Sequence, residues 1–180
     1  MTALGCVTGR FQPVHEQHLE LFGIALRQCD HLIVAVTNPD SGARHEESTS
    51  AHRHTTSANP FTYYERARLL GTAVAAAGWA PRVTVVPFDL TRPQLWPEYV
   101  PLRARHFVRV YSDWERQKAG WFADAGYPVT VLDGDPAAKL SATDIRRLLA
   151  TGGAWQDAVP AATGPVLDEL LTETPMESRT

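Results

Sequence analysis

The residues best suited to bind an anion form one short stretch near the start of the chain, GRFQPVHEQH at 9–18. An apolar run at 3–7 precedes it and an amphipathic run at 19–26 follows, which predicts a strand, a tight glycine turn and a helix. His15 and His18 are three residues apart, so a helix start places both imidazoles on one face. Backbone N–H groups and the positive end of the helix dipole attract phosphate at such a turn. The stretch therefore predicts stabilisation of charge at phosphorus.

A second candidate anion site is the helix start at 141–149 (SATDIRRLL). Ser141 is a good N-cap, and Asp144 suits the acidic first turn of a helix. The predicted buried stripe of this helix consists of Ile145, Leu148 and Leu149. Arg146 lies off that stripe and near the helix start, where an arginine and backbone N–H groups bind anions together. On these residues alone, a routine capped surface helix remains the alternative.

Alternating apolar and helical segments predict the scaffold that must position these sites. Strands are predicted at 3–7, 30–37, 83–87, 106–111 and 128–132. Helices are predicted at 19–26, 62–78, 114–125 and from 141, with one or two closing helices over 155–171. The pattern indicates one Rossmann-like, doubly wound α/β domain over 1–172 with a five-stranded, mainly parallel sheet. The remaining residues, 173–180, are expected to form a flexible tail.

The segment 38–60 is rich in Ser, Thr, His and Asn and has almost no apolar residues. It is too long for an ordinary connection in a compact domain, so we expect a mobile, functional loop that closes over bound substrate. Its residues His45, His52 and His54 have irregular spacing and no neighbouring cysteine. This favours a solvated loop over a metal site.

Composition and charge argue against several function classes. The chain has 180 residues and a formal charge of −3, so it lacks the basic footprint of a nucleic-acid-binding protein. No apolar run approaches the ~20 residues of a membrane span, and no secretory signal is recognised. Cys6 and Cys29 have neither redox nor metal-ligand spacing, so a cytoplasmic protein is expected. Neither a Walker A motif nor G-x-G-x-x-G is present.

Ligand-binding residues are also expected after the third and fourth strands, because ligands collect at the carboxyl edge of open parallel sheets. Trp96 is a candidate for stacking on an acceptor, and Arg92 is a candidate for neutralising its charge. Asp113, just after the fourth strand, is a third candidate for the acceptor site. For Trp96, a packed hydrophobic anchor remains the alternative.

Several ordered motifs together resemble the nucleotidylyltransferase superfamily with the H-x-G-H signature, and specifically the archaeal-type nicotinamide mononucleotide (NMN) adenylyltransferases. The stretch 9–18 is similar to G-R-F-Q-P-x-H-x-G-H, and 59–66 (NPFTYYER) is similar to N-P-F-T-x-x-E-R. The segment 141–147 resembles S-x-T-x-I-R-R, and 153–160 resembles the closing G-x-x-W…V-P. The resemblance runs in order over nearly the whole chain.

The resemblance implies that a nucleoside monophosphate moves from an NTP, with Mg²⁺, to an acceptor phosphate, and that pyrophosphate is released. The first expectation is ATP and NMN as substrates and NAD as product, with no nucleic-acid or membrane partner; assembly into a homo-oligomer stays open. The implied catalytic residues are His15, His18 and Arg146, with His18 at the α-phosphate. The implied nucleotide-binding residues are Gly9, Arg10, Phe11, Gln12, Ser141, Thr143 and Ile145. The acceptor is expected at Trp96, Arg92 and Asp113.

Two positions depart from the family pattern. Gln17 stands where the family has glycine, which adds a side chain at the closest approach of the nucleotide. Pro93 stands where the family has an asparagine that contacts the NMN carboxamide, and proline has no side-chain donor or acceptor. The alternative is therefore a CTP-dependent cytidylyltransferase acting on a phosphonate or other small phosphorylated acceptor. Basic residues available to such an acceptor are Arg92, Arg103, Arg105, Arg116 and Lys118. An inactive nucleotide-binding regulatory module is the remaining alternative.

Overall fold

The computed structural model describes residues 3–46, 48 and 52–179, and this part of the chain forms a five-stranded parallel sheet with helices on both faces. The strands are β1 (Leu4–Gly9), β2 (His31–Thr37), β3 (Val83–Phe88), β4 (Arg105–Val110) and β5 (Val129–Asp133). The helices are α1 (Glu16–Leu26), α2 (Tyr63–Ala76), α3 (Trp96–Tyr99), α4 (Asp113–Asp124), α5 (Ala142–Thr151) and α6 (Gly164–Glu173). The predicted doubly wound α/β fold is confirmed.

The strand order β3-β2-β1-β4-β5 explains where a ligand can enter. The chain first builds outward from β1 to β3 and then returns to the other side of β1 for β4. The connections leaving β1 and β4 therefore diverge, and a crevice opens at the carboxyl ends of these two strands. The first phosphate-binding turn follows β1 directly, so the fold places it at this crevice.

Arg66, on α2, is buried and links the ends of the first two strands through hydrogen bonds. It is 1% exposed, and its guanidinium donates to the carbonyl oxygens of Arg10 (2.9 Å), Thr37 (2.8 Å) and Asn38 (2.8 Å). The helix start that carries it has a capping box, in which Thr62 and Glu65 pair reciprocally. Arg66 thus belongs to the framework of the crevice and not to a solvated helix face.

The C-terminal segment differs from the expected flexible tail. Arg179 is 8% exposed and donates to the carbonyls of Leu170 (2.8 Å) and Thr174 (2.7 Å). Its guanidinium also pairs with Glu65 at 2.8 Å and lies over the ring of Phe61. A buried arginine requires such partners, and here they fasten the segment after α6 to the start of α2.

The described residues of the 38–60 segment carry ordered contacts of their own. Short 3₁₀ turns occur at Ser41–Ala43 and Thr56–Ala58. The Arg53 carbonyl accepts hydrogen bonds from Asn59 (2.7 Å) and Asn38 (3.2 Å). Closure of this segment over a substrate stays a prediction. None of the helices in the described ranges is long and apolar enough to span a membrane.

His106, on β4, is predicted to make the protein less stable in acid. It is fully buried, stacked on Phe122 at 4.0 Å, and neither ring nitrogen has a hydrogen-bond partner among the described residues. Burial, with a smaller effect of Lys118, lowers its pKa to about 3. Below pH 6.5 His106 therefore binds a proton in the unfolded chain but not in the native state, so the free energy of unfolding falls as the pH falls.

His106→Leu removes this linked proton. We expect the loss of unfolding free energy between pH 7 and pH 5 to shrink by about 1–2 kcal/mol, measured by urea unfolding at both pH values. Because a buried unpartnered imidazole is destabilising, stability at pH 7 is expected to be equal or higher in the variant. An unchanged pH slope would contradict the assignment.

Candidate active site

A cavity of about 380 Å³ occupies the crevice beyond β1 and β4. The turn after β1 and the first turn of α1 form one wall, and the start of α5 forms the facing wall. The connection after β4, the first turns of α4 and the segment around Arg53 complete it. Both predicted anion sites therefore open into the same space.

The two histidines of the first site form one rigid unit. The backbone N–H of His15 donates to His18 Nδ1 at 3.1 Å, and the two rings stack with centroids 3.6 Å apart. The ring of Phe11 packs edge-on against His18 at 4.8 Å. Because Nδ1 of His18 accepts a hydrogen bond, Nε2 carries the proton in the neutral ring and is the donor offered to a ligand.

Both imidazoles are neutral in the ligand-free cavity at pH 7. Burial, with a smaller effect of Lys139, lowers the pKa of His15 to about 4. Burial, with the neighbouring His15 and Lys118, holds the pKa of His18 well below its ordinary value. The pair therefore offers N–H donors to the cavity and adds no positive charge of its own.

The glycine of the first turn is required by space. A Cβ at Gly9 would lie 2.8 Å from the ring of Phe11, closer than real Cβ contacts allow. Phe11 itself has a φ of 51°, a left-handed conformation that is uncommon for a bulky residue. This backbone turns the chain sharply from β1 into α1, and strained turns of this kind concentrate at functional sites.

The start of α5 abuts the first turn through Arg146. Its Nη1 donates to the carbonyl oxygen of Gln12 at 2.9 Å, and its Nη2 donates to Thr143 Oγ1 at 3.0 Å. Ser141 caps the helix by accepting from the backbone N–H of Asp144. The structure thus brings Arg146, Ser141 and Thr143 onto the same cavity as the histidine pair.

Positive charge dominates the cavity wall. Lys118 Nζ donates to the carbonyl of Thr8 at 3.3 Å, and Arg10 donates to the carbonyl of Ala58 at 3.1 Å. Burial and the nearby Arg53 lower the pKa of Lys118 to about 8, and burial with three neighbouring guanidiniums also lowers the pKa of Arg10. An anion bound here would relieve this repulsion, so the cavity favours an anionic ligand.

Glu115 is the carboxylate among the described residues of the cavity wall. It accepts from Lys139 Nζ at 3.1 Å and from Ser112, and it lies 3.8 Å from Arg53. Although burial acts to raise the pKa of Glu115, the bonds from Ser112 and Lys139 lower it overall. One carboxylate does not balance the surrounding cations, so the wall keeps an excess of positive charge.

Three residues expected to bind the nucleotide have side chains engaged in the protein framework. The amide of Gln12 is buried and pairs with the backbone N–H and C=O of Phe61, both at 2.9 Å. Phe11 packs against His18 and Phe22. Ile145 is 1% exposed and lies in the core. These side chains shape the cavity from behind and are not free to contact a ligand.

The three residues expected to bind the acceptor do not line this cavity in the described part of the chain. Trp96 is 2% exposed, stacks on Phe88 at 5.4 Å and donates to the carbonyl of Asp89. It is therefore a packed anchor and offers no exposed ring face. Arg92 is exposed and pairs with Asp89 at 3.3 Å, while Asp113 is exposed at the start of α4.

Several residues of the cavity wall were not among the predicted site residues. They are Arg53, Tyr111, Trp114, Glu115, Lys118 and Lys139, of which only Lys118 was named as an available cation. A signal existed for the α4 group, because a strand end followed by Trp114, Glu115 and Lys118 places one aromatic and two charged residues on neighbouring positions of a helix. Lys139 and Arg53 are in connections and had no such signal.

The described residues contain no group of three or more His, Cys, Asp or Glu side chains that could hold a metal ion. The carboxylate in the cavity, Glu115, is already engaged by cations. The wall residues that the structure describes therefore do not fit a resident divalent ion.

Comparison with known proteins identifies the family to which this chain is similar. The cytidylyltransferase-like family model matches residues 6–148. The chain is 36% identical to the phosphonoformate cytidylyltransferase of Streptomyces viridochromogenes over 92% of its own length and 90% of the relative. It is 32% identical to the nicotinamide-nucleotide adenylyltransferase of Pyrococcus abyssi, over 92% of its own length and 83% of the relative.

A solved structure supports the same fold. The bifunctional NMN adenylyltransferase/ADP ribose pyrophosphatase of Francisella tularensis, complexed with AMP and a manganese ion, superposes with a TM-score of 0.73 at 15% identity. The superposition covers 99% of this chain and 52% of that protein, so the chain spans about half of its length.

Arg146 and Arg147 form a matched pair for testing the cavity. Arg146 is buried at the cavity, whereas Arg147 is exposed and pairs with Asp144 at 2.9 Å. We expect Arg146→Met to weaken binding of inorganic tripolyphosphate by about 10- to 100-fold, because a charge-assisted donor is lost, and Arg147→Met to change it less than about twofold. Calorimetric titration measures both, and equal losses in the two variants would contradict the site.

Proposed function

The chain belongs to the cytidylyltransferase-like family of nucleotidyltransferases, and we propose that it transfers a nucleoside monophosphate from an NTP to a compact, multiply charged acceptor and releases pyrophosphate. The favoured nucleotide donor is CTP, and the favoured acceptor is a phosphonate. The proposal is supported most by the cation excess of the cavity wall, where Arg10, Arg53, Lys118 and Lys139 surround the carboxylate of Glu115.

The geometry suggests how the reaction proceeds. The triphosphate lies between the starts of α1 and α5, with backbone N–H groups, Arg146 and the His18 Nε2–H as donors. An acceptor oxygen attacks the α-phosphorus in line, the bond from the α-phosphorus to the bridging oxygen breaks, and pyrophosphate leaves with the electron pair. No side-chain nucleophile is required, since position and countercharge supply the catalysis.

Magnesium would arrive with the triphosphate. It would be held by phosphate oxygens, since the described wall offers no cluster of carboxylates. Its chemistry there is to reduce the negative charge of the phosphates. The residues of the chain hold the remaining charge and orient the reacting groups.

The nature of the acceptor follows from what the cavity offers. The cations approach one another within a small space, as the Lys139–Glu115 contact at 3.1 Å and the Arg53–Glu115 contact at 3.8 Å illustrate. A small dianion or trianion can bring several charges into that space. Trp96, the residue expected to stack on a nicotinamide ring, is buried and does not line the described cavity wall.

A second candidate, ATP with NMN as acceptor, is favoured by the archaeal relative that is 32% identical over 92% of the chain. This candidate binds the triphosphate between the same starts of α1 and α5 and differs only in the nucleotide and the acceptor. Trp114 and Tyr111, which do line the cavity, would then have to accept the nicotinamide ring. Arg53 already lies over the Trp114 ring at 4.7 Å, which leaves that face less available.

Pyrophosphate release, measured with CTP or ATP against phosphonoformate, simple phosphonates, NMN and nicotinate mononucleotide, separates the candidates. We expect turnover with CTP and a compact phosphonate. Lys118 is charged below its pKa of about 8, so the KM of the acceptor should rise above that pH in the wild type and rise less in Lys118→Met. Turnover restricted to ATP and NMN would contradict the compact acceptor.

His18→Ala tests the catalytic assignment. We expect kcat to fall on the order of 10²–10³-fold, because an N–H donor to the developing charge is lost, with NTP affinity changed only a few-fold. His31→Ala, which alters a histidine bonded to Thr84 away from the cavity, is the control. Wild-type protein that binds nucleotide without any turnover would favour the regulatory module instead.

A further inference from the structure

We infer that Gln17 is a positioning residue that holds the two phosphate-binding helix starts in register, an inference that rests on the proposed function of the cavity. Gln17 lies in the first turn of α1, between the two histidines. The other helix start, capped by Ser141, lies more than a hundred residues later in the chain. The side chain of Gln17 spans this gap directly.

The amide of Gln17 pairs with the backbone on both sides of Lys139. Its Oε1 accepts from the N–H of Leu140 at 2.7 Å, and its Nε2 donates to the carbonyl of Ala138 at 2.6 Å. The hydroxyl of Tyr111 also donates to Oε1, at 3.5 Å. Both polar atoms of the amide are thus used, in the way that one backbone strand pairs with another.

These bonds fix the segment that delivers the second anion site. Leu140 immediately precedes Ser141, the N-cap of α5, so its position sets where the first N–H groups of α5 lie. Residues 135–139 are exposed and contribute little buried apolar surface to hold the segment by packing. Long-range hydrogen bonds therefore contribute much of the stabilisation that keeps this segment against α1.

A second tether acts in parallel. The Arg146 guanidinium, on α5, donates to the carbonyl of Gln12, which precedes the histidine pair in the chain. The two helix starts are thus connected at two separated points, by Gln17 before α5 and by Arg146 inside it. Two attachments suppress both separation and rotation, so the donors meet a triphosphate without prior rearrangement.

Glutamine is specifically suited to this position. The H-x-G-H signature that the chain resembles has glycine there, which has no side chain to make either bond. Methionine has similar length without hydrogen-bonding groups. Glutamate keeps the acceptor for the Leu140 N–H but sets its second oxygen against the Ala138 carbonyl, and it adds negative charge beside an anion site.

The test compares Gln17→Met and Gln17→Glu with the wild type, using Gln28→Met, in the exposed turn that follows α1, as the control. Hydrogen exchange followed by mass spectrometry reports the Leu140 amide, and calorimetry reports the affinity for inorganic tripolyphosphate. Steady-state kinetics then give separate KM values for the NTP and the acceptor.

We expect Gln17→Met to speed exchange in the 138–141 segment and to weaken tripolyphosphate binding, each by about fivefold to thirtyfold, since two hydrogen bonds are lost. The KM of the NTP should rise in parallel, while the KM of the acceptor stays within about twofold. Gln17→Glu should bind tripolyphosphate more weakly still, and Gln28→Met should match the wild type in every measurement.

Unchanged exchange in Gln17→Met would overturn the tether itself. Faster exchange with unchanged tripolyphosphate affinity would overturn the positioning role and leave a structural bond only. A wild type that turns over none of the substrate pairs would instead overturn the proposed function. Hydrogen exchange and tripolyphosphate binding do not require catalysis, so these two measurements would still test the positioning role of Gln17.

Discussion

The structure depends on cations that are held by backbone carbonyl groups and not neutralised by carboxylates. Arg66 donates to the carbonyls of Arg10 and Thr37, Lys118 donates to that of Thr8, and Arg10 donates to that of Ala58. A carbonyl dipole fixes the geometry of a cation but does not cancel its charge. The cavity, whose wall includes Lys118 and Arg10, is therefore assembled in advance with an excess of positive charge, which favours binding of a polyanion.

The parallel sheet makes this arrangement possible. All strands end at one edge, so their last carbonyls and the turns that follow are grouped in space, and the switch of strand order beside β1 leaves room between them. Helices that start at the same edge add N–H donors with the same preference for anions. Gln17 and Arg146 then join two such starts that the topology alone would only bring near each other.

The sequence predicted the features that depend on neighbours along the chain. Strand and helix periodicity located every strand of the sheet, and cap and glycine patterns located the two helix starts that meet at the cavity, because these signals lie within a few residues. The environments of Trp96, Gln12 and Arg179 depend on partners far along the chain, and residue type alone does not choose between a ligand and a packed core. Lys139 was missed for the same reason, since only the folded structure shows that this lysine in a connection contacts Glu115.

For the proposed reaction, the neutrality of the histidine pair favours catalysis over ground-state binding. A permanently charged side chain at His18 would attract the triphosphate before and during the reaction alike, which lowers KM without an equal gain in kcat. A neutral Nε2–H donor gains most when negative charge accumulates on the oxygens around the α-phosphorus. The low pKa of His18, which results from burial and from the neighbouring His15 and Lys118, keeps the ring neutral and a donor of one hydrogen bond until that charge develops. In the proposed reaction, the cations hold the substrate and the imidazole of His18 responds to the transition state.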